Sequence, residues 1–301
     1  ILTRNLMIFG QGATRCHPYV LDEMTVVGQE DEETAIREFD KLLVSHILFA
    51  ISNGAGALFQ GLTGAVFNKK PLAGETSGYY QQLSRLSRGF ALCSDIAMMV
   101  LGGDLKRKEM LSARLGDVLS QLCIASAILK HYEDEGRQVA DLPFVHYSVR
   151  QCLYEIGQAF SGFFENFPNR TFAWMMKIFV FPLGNHFKKP DDSIIQDVCK
   201  VMTEPGIARD RLTHLCYIGE GEDDVTGVVE KAFELSIETQ ELRKKLLLGQ
   251  NHGQFCQELT YAQLIKTALE SDVISNEEHE LLLEAEKYRL KTIHVDEFKS
   301  L

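Results

Sequence analysis

The chain has no two cysteines close enough in sequence to form a metal or redox pair, since Cys16, Cys93, Cys123, Cys152, Cys199, Cys216 and Cys256 are scattered along it. Most stand in apolar helical stretches, where a thiol behaves as a small hydrophobe. That excludes a disulfide framework and suits a reducing cytoplasm. Positive charge is also scarce: 31 Lys and Arg against 42 Asp and Glu leave a net charge of -11. Nucleic-acid binding needs clustered cations to displace counterions, so nucleic acid is excluded as a partner. No run reaches the roughly 20 apolar residues that span a bilayer. The nearest, residues 47–67, is uncharged but carries Ser52, Asn53, Gln60, Thr63 and several glycines, so no transmembrane helix is expected.

Catalytic signatures are equally thin. Cys-x-x-Cys, His-Glu-x-x-His, Gly-x-Ser-x-Gly and phosphate-loop patterns are all missing. None of the nine histidines follows a Glu by three positions, which disfavours a di-metal site in a helical bundle. No metal is expected. Gly10-Gln11-Gly12 resembles the opening of a dinucleotide loop but lacks the third glycine and follows helix-like sequence.

What is present is helical periodicity. Leu111, Leu115, Val118, Leu122, Ala125, Leu129 and Tyr132 form one stripe; Val145, Val149, Cys152, Ile156, Phe160 and Phe163 form another, opened by Asp141 and Pro143. A third helix covers 79–101 and ends at Gly102-Gly103; a fourth covers 34 to about 50. Four long helices with short links predict an all-α fold, an antiparallel helical bundle followed by a smaller helical subdomain. Beyond Asn166, prolines and glycines at 182, 184, 190, 205 and 206 cut the chain into shorter pieces. The predicted division is therefore 1–24, 25–165 and 166–301. Glu220 to Asp224 reads as a solvated loop, followed by one helix striped by Val228, Ala232, Leu235, Thr239, Leu242 and Leu246. Ser275 and Glu278 have capping-box spacing before a last helix faced by Leu281, Leu282, Ala285 and Tyr288. Ile1 stands where a complete chain would carry Met, and Ile1 to Phe9 is helix-like without a start signal, which predicts that the chain continues something longer.

Several side chains are available for chemistry, and each has a plainer reading. Glu23, Glu33 and Glu135 read as carboxylates on solvated faces, and His131, His146 and His214 as isolated histidines. Lys106-Arg107-Lys108 and Lys188-Lys189 read as solvated helix ends, with a coenzyme A phosphate or lipid headgroup as the alternative. The stretch 47–67, closed by Lys69-Lys70, reads as a glycine-softened helix end and turn, with a membrane-interface segment as the alternative.

Longer strings carry more information than these single residues. Met7 to Ala13, Arg15-Cys16-His17-Pro18-Tyr19-Val20, Ser112 to Asp117, Tyr132 to Arg137, Asp141-Leu142-Pro143, Asn166 to Arg170 and Ile293 to Phe298 occur in the order seen in bacterial long-chain (FadE-type) acyl-CoA dehydrogenases. The chain resembles the C-terminal region of that family over nearly its whole length. The resemblance implies an FAD-dependent oxidoreductase of fatty-acid beta-oxidation that converts medium- and long-chain acyl-CoA to trans-2-enoyl-CoA. In such enzymes a Glu followed by Gly removes the alpha proton while the beta hydride passes to flavin.

By resemblance that Glu lies upstream of Ile1, so the chain contributes no catalytic residue, no assigned cofactor-binding residue and no metal ligand. Residues 1–24 become the end of the catalytic domain. FAD and fatty acyl-CoA belong to the complete enzyme, with an electron-transfer flavoprotein or equivalent as electron acceptor and a homo-oligomeric assembly. Localisation is expected to be cytoplasmic, with peripheral contact on the inner face of the membrane as an alternative. A helical scaffold, a membrane-attachment module and a free-standing adaptor are the other roles open to these residues.

Overall fold

Periodicities of three and four residues are expressed as helix throughout. The computed structural model describes residue 12 and residues 17–71, 74–221 and 224–295, and among these there are twelve α-helices, two short 3-10 turns and no strand. The readings placed on 1–11 and 13–16, and on the terminal string beyond Val295, lie outside the described residues.

The chain divides into two units, Ile1–Val198 and Cys199–Leu301. In the first are α1 (Val20–Val27), α2 (Glu32–Leu62), α3 (Ser77–Leu101), α4 (Glu109–Asp134), α5 (Leu142–Asn166) and α6 (Arg170–Val180). All the stripe residues expected on α4 and α5 are buried in one core. Pro143 stands in the first turn of α5, where its missing N–H costs nothing. The core's densest part is aromatic. Phe160 stacks on Phe164 at 5.8 Å and meets Phe181 edge-on at 5.9 Å, while Phe163 and Phe167 lie 5.4 Å apart.

The structure differs from the sequence reading in three places. The expected boundary at 165/166 is not where the two units part. Asn169 caps α6 by accepting from the N–H groups of Thr171 and Phe172, and Ala173, Met176 and Val180 then enter the same core as α4 and α5. The short apolar segment after Pro168 is thus part of the bundle, and α7 (Asp192–Thr203) leads into the second unit.

The second difference is in α2, which runs unbroken through the glycines of 47–62 where a helix end was expected. These glycines admit neighbours at close range. A Cβ at Gly54 would stand 3.4 Å from Leu92 and Phe179, and one at Gly61 would stand 2.6 Å from the Pro182 ring. The turn comes only at Gly64 and Ala65, both with left-handed φ, the latter fully buried. Gly61→Ala should therefore cost about 1–3 kcal/mol, because a proline ring beside buried Phe181 cannot swing aside. Gly56→Ala meets only the flexible end of Arg88 and should be neutral or gain up to ~1 kcal/mol from helix propensity. Urea unfolding of the two variants reads the contrast, and equal destabilisation would refute it.

Length and apolar composition are the third difference. Contrary to the sequence reading, three helical stretches (Glu32–Leu62, Ser77–Lys106 and Glu109–Asp134) are long and apolar enough to cross a bilayer. The last two turn much of that apolar surface into the core. In Glu32–Leu62 the mean hydropathy of the most apolar window is 1.7, yet only 17% of that window is buried.

The second unit contains α8 (Ile207–Thr213), α9 (Val225–Glu238), α10 (Gln240–Asn251), α11 (Tyr261–Glu270) and α12 (Asn276–Ile293). The single helix expected across Thr239 is two. Thr239 is fully buried, and its Oγ1 donates to Leu235 O at 2.7 Å, a back-bond that bends helices. The capping box at Ser275 and Glu278 forms as read, and a second one at Thr260 and Gln263, which the sequence reading missed, opens α11.

One ion pair in this unit has two-pronged geometry. Arg209 donates to both oxygens of Glu230 at 2.8 and 2.6 Å, and its guanidinium lies 4.3 Å from the Phe233 ring centre. The hydrogen bonds from Arg209 hold the Glu230 carboxyl below its ordinary value of 4.5. A lowered folded-state value means that the stabilisation is full above the unfolded carboxyl's range and is lost as pH falls through the folded one. Glu230→Gln should thus cost about 1 kcal/mol at neutral pH and nothing in strong acid. Urea midpoints taken across that range test it; a cost independent of pH would count against the pair.

Candidate functional site

Asp95 is the side chain least expected from its surroundings. It sits on α3 within Leu92-Cys93-Ser94-Asp95-Ile96-Ala97, every member of which is buried, and its own exposure is 7%. A buried carboxylate requires partners. His17 Nε2 lies 2.9 Å from Asp95 Oδ1, and His46 Nε2 on α2 lies 3.5 Å from the same oxygen. His46 Nδ1 in turn lies 2.8 Å from Glu23 Oε1 on α1. Four residues from three helices and the segment before them thus form one network. The rings of His17, Tyr19, His46 and Phe49 pack around it, with Tyr19 stacked on His46 at 5.6 Å.

The network contributes to the wall of an apolar groove of about 700 Å³ between α1, α2, α3 and α6. Ile47, Ile51, Leu92, Met99, Met175 and Phe179 are among its walls, and Glu23, His46 and Asp95 are its only polar lining residues.

His17, His46 and Asp95 bring three potential metal-ligand atoms within 4.8 Å of one another. The hydrogen bonds decide what they can do. His17 Nδ1 accepts the backbone N–H groups of Tyr19 and Val20, each at 3.2 Å, so the ring proton of neutral His17 is on Nε2 and is donated to Asp95. A metal-bound imidazole needs a free lone pair on the ligating nitrogen, and this tautomer has none on Nε2. The geometry supports a polar tie between α1, α2 and α3.

The candidates read from sequence fall differently. Glu23 is not on a solvated face, since it belongs to this network. Glu33 is exposed in the first turn of α2, and Glu135 is half-buried at the end of α4. His146 is not isolated: its Nδ1 lies 2.7 Å from the Tyr79 hydroxyl and its Nε2 3.6 Å from Glu75. His131 is exposed, and His214 Nδ1 lies 2.6 Å from Arg211 O.

Lys188 and Lys189 border a second cleft of about 630 Å³ with His146, Arg150, His186 and Asp191. Arg150 pairs with Asp191 at 3.3 Å and Lys189 lies over the Tyr154 ring at 5.3 Å. Hydrogen bonds from Ser193 and Ile194 lower the Asp191 carboxyl below its usual range, so an anion entering this cleft meets a carboxylate as well as the lysines. Arg107 is exposed beside Asp104 at 3.7 Å. Neither basic cluster forms a phosphate cradle.

Of the cysteines, Cys93 and Cys152 are buried and behave as the small hydrophobes expected, burial raising the Cys152 thiol to about 11 and Cys93 further. Cys123, Cys199, Cys216 and Cys256 are exposed instead.

Among the described residues the chain is all helical, with an apolar groove and a buried histidine–carboxylate tie on its wall. Residues 14–298 match the family described as acyl-CoA dehydrogenase, C-terminal, bacterial type, and the chain belongs to that family. No solved structure matches the chain.

Proposed function

We propose that this chain is the C-terminal accessory region of an FAD-dependent acyl-CoA dehydrogenase. The whole protein desaturates medium- and long-chain acyl-CoA to trans-2-enoyl-CoA in fatty-acid beta-oxidation and passes electrons to an electron-transfer flavoprotein or an equivalent acceptor. The observation that carries this reading is the family match across residues 14–298. On this reading residues 1–24 end the catalytic domain, the protein is a cytoplasmic homo-oligomer, and the base is a Glu outside this chain.

A flavin dinucleotide does not fit the cavities described here. Its pyrophosphate needs backbone N–H groups or cations, whereas the groove is apolar with Glu23 and Asp95 in its wall, and the cations of the second cleft face Asp191 and Glu75. The accessory region therefore acts through its surface. Val44, Leu48, Ile51, Phe59 and Leu62 recur on α2 at steps of three, four and eight residues, and all are exposed. An apolar stripe of that length is the mark of an interface, and here it suits the catalytic domain of the same enzyme.

The test is spectroscopic. The 301-residue chain should purify without a flavin absorption band, while the complete gene product should carry flavin that long-chain acyl-CoA bleaches. Flavin in the isolated chain, or a complete product indifferent to acyl-CoA, would refute the reading.

The α2 stripe favours a second role, peripheral attachment at the inner face of the cytoplasmic membrane. Phe67 extends the apolar surface and is followed by Lys69 and Lys70, while Asp31, Glu32 and Glu33 at the other end of α2 oppose an anionic leaflet. Flotation with anionic vesicles decides it: a chain that stays with the protein fraction has no such role.

A further inference from the structure

The groove between α1, α2, α3 and α6 has the features of a ligand site, and it borders the exposed α2 stripe at Ile51. Its volume of about 700 Å³ is that of a small-molecule cavity, typically ~300–1,000 Å³. Its walls are aliphatic, aromatic and thioether side chains, and Met98, Met99 and Met175 are the kind that re-pack around a flexible chain. Its polar lining residues are Glu23, His46 and Asp95, which lie together in one hydrogen-bonded patch of the wall.

The hydrogen bonds of these groups indicate what a ligand must bring. His17 directs its ring proton to Asp95 Oδ1, and the two ring nitrogens of His46 face Glu23 Oε1 and Asp95 Oδ1. Asp95 Oδ2 is buried and has no hydrogen-bond partner in the protein. A buried acceptor without a donor is costly, and a donor arriving with a ligand relieves that cost. The N–H capacity of both imidazoles is thus turned toward carboxylates, and what remains in this patch is acceptor capacity at Asp95 Oδ2. A carboxylate or phosphate head would meet two carboxylates at short range. An ammonium, hydroxyl or amide head would find a partner.

We propose that this groove binds one unbranched alkyl chain whose head group is a neutral hydrogen-bond donor or a cation, with the chain along α2 and α3 and the head at Asp95 and Glu23. The site accordingly discriminates against free fatty acids of the same length. This inference stands on the groove and its polar patch and does not depend on the catalytic role of the complete protein.

The experiment is displacement of a neutral fluorescent dye, N-phenyl-1-naphthylamine, from the purified chain by dodecylamine, dodecan-1-ol and dodecanoate, each below its micelle-forming range. Dodecylamine and dodecan-1-ol are expected to displace the dye at concentrations at least about tenfold below dodecanoate. Ala55→Trp fills the groove from an exposed position on α2 and should weaken all three by about tenfold or more. Asp95→Asn and Glu23→Gln should each narrow the amine-to-carboxylate preference, with thermal melts reporting that each variant is folded. Should Asp95→Asn fail to fold, Glu23→Gln decides the point. No saturable displacement, a dodecanoate affinity equal to that of the amine, or an Ala55→Trp chain that binds as before would overturn the proposal.

Discussion

Phe160→Ala is expected to destabilise the first unit by about 3–5 kcal/mol, a fall in melting temperature on the order of 10 °C. Phe160 is fully buried, stacked on Phe164 and edge-on to Phe181, so truncation removes contacts with α5's own next turn and with the chain leaving α6. The site cannot collapse easily, because Ile156, Phe163 and Met176 are themselves held without solvent exposure. Trp174→Ala is the matched control. Trp174 is as large but 68% exposed on α6, and its removal should change stability by no more than ~0.5 kcal/mol. Calorimetry of the two variants reads the difference directly; similar losses would mean that α6 packs otherwise than described.

Asp95→Ala is expected to cost about 3 kcal/mol, because it strands His17 and His46 at a buried position without their common acceptor. The size of that loss does not by itself prove the network, so the informative quantity is coupling. His17→Ala and Asp95→Ala should be strongly non-additive in the double variant, by about 1–2 kcal/mol, since either change alone breaks the 2.9 Å contact. Asp95→Asn keeps an acceptor for the His17 N–H and should be milder than Asp95→Ala. Additivity of the two alanine variants within about 0.3 kcal/mol would sink the account of the tie between α1 and α3.

These two cases differ in how far the sequence foretells them. Phe160 is legible at once, the fifth member of a stripe running from Val145 to Phe163, and every residue of that stripe is buried. The network is not legible in that way. His17 is 78 positions from Asp95, and Glu23 is 23 from His46. Glu23 taken alone resembles any carboxylate in a first turn. The one local signal was Asp95 itself, a charge inside an apolar helical run, which marks a residue that burial obliges to find partners. The backbone that His17 caps at Tyr19 and Val20 fixes its tautomer, which no spacing rule foresees.

The cap at Ser275, the proline in the first turn of α5 and the stripes of α4 and α5 follow from the sequence alone, because the helix repeats every 3.6 residues and apolar spacing reports it locally. Long family strings add the kinship without any structure. Tertiary structure alone decided which apolar surface is covered. The stripes of α4 and α5 and the uncharged length of α2 read alike as sequence, yet the first two close on each other while Val44, Leu48, Ile51 and Phe59 on α2 are left exposed. Burial is a property of the neighbours a helix meets, and those neighbours come from distant parts of the chain, beyond the reach of any local pattern.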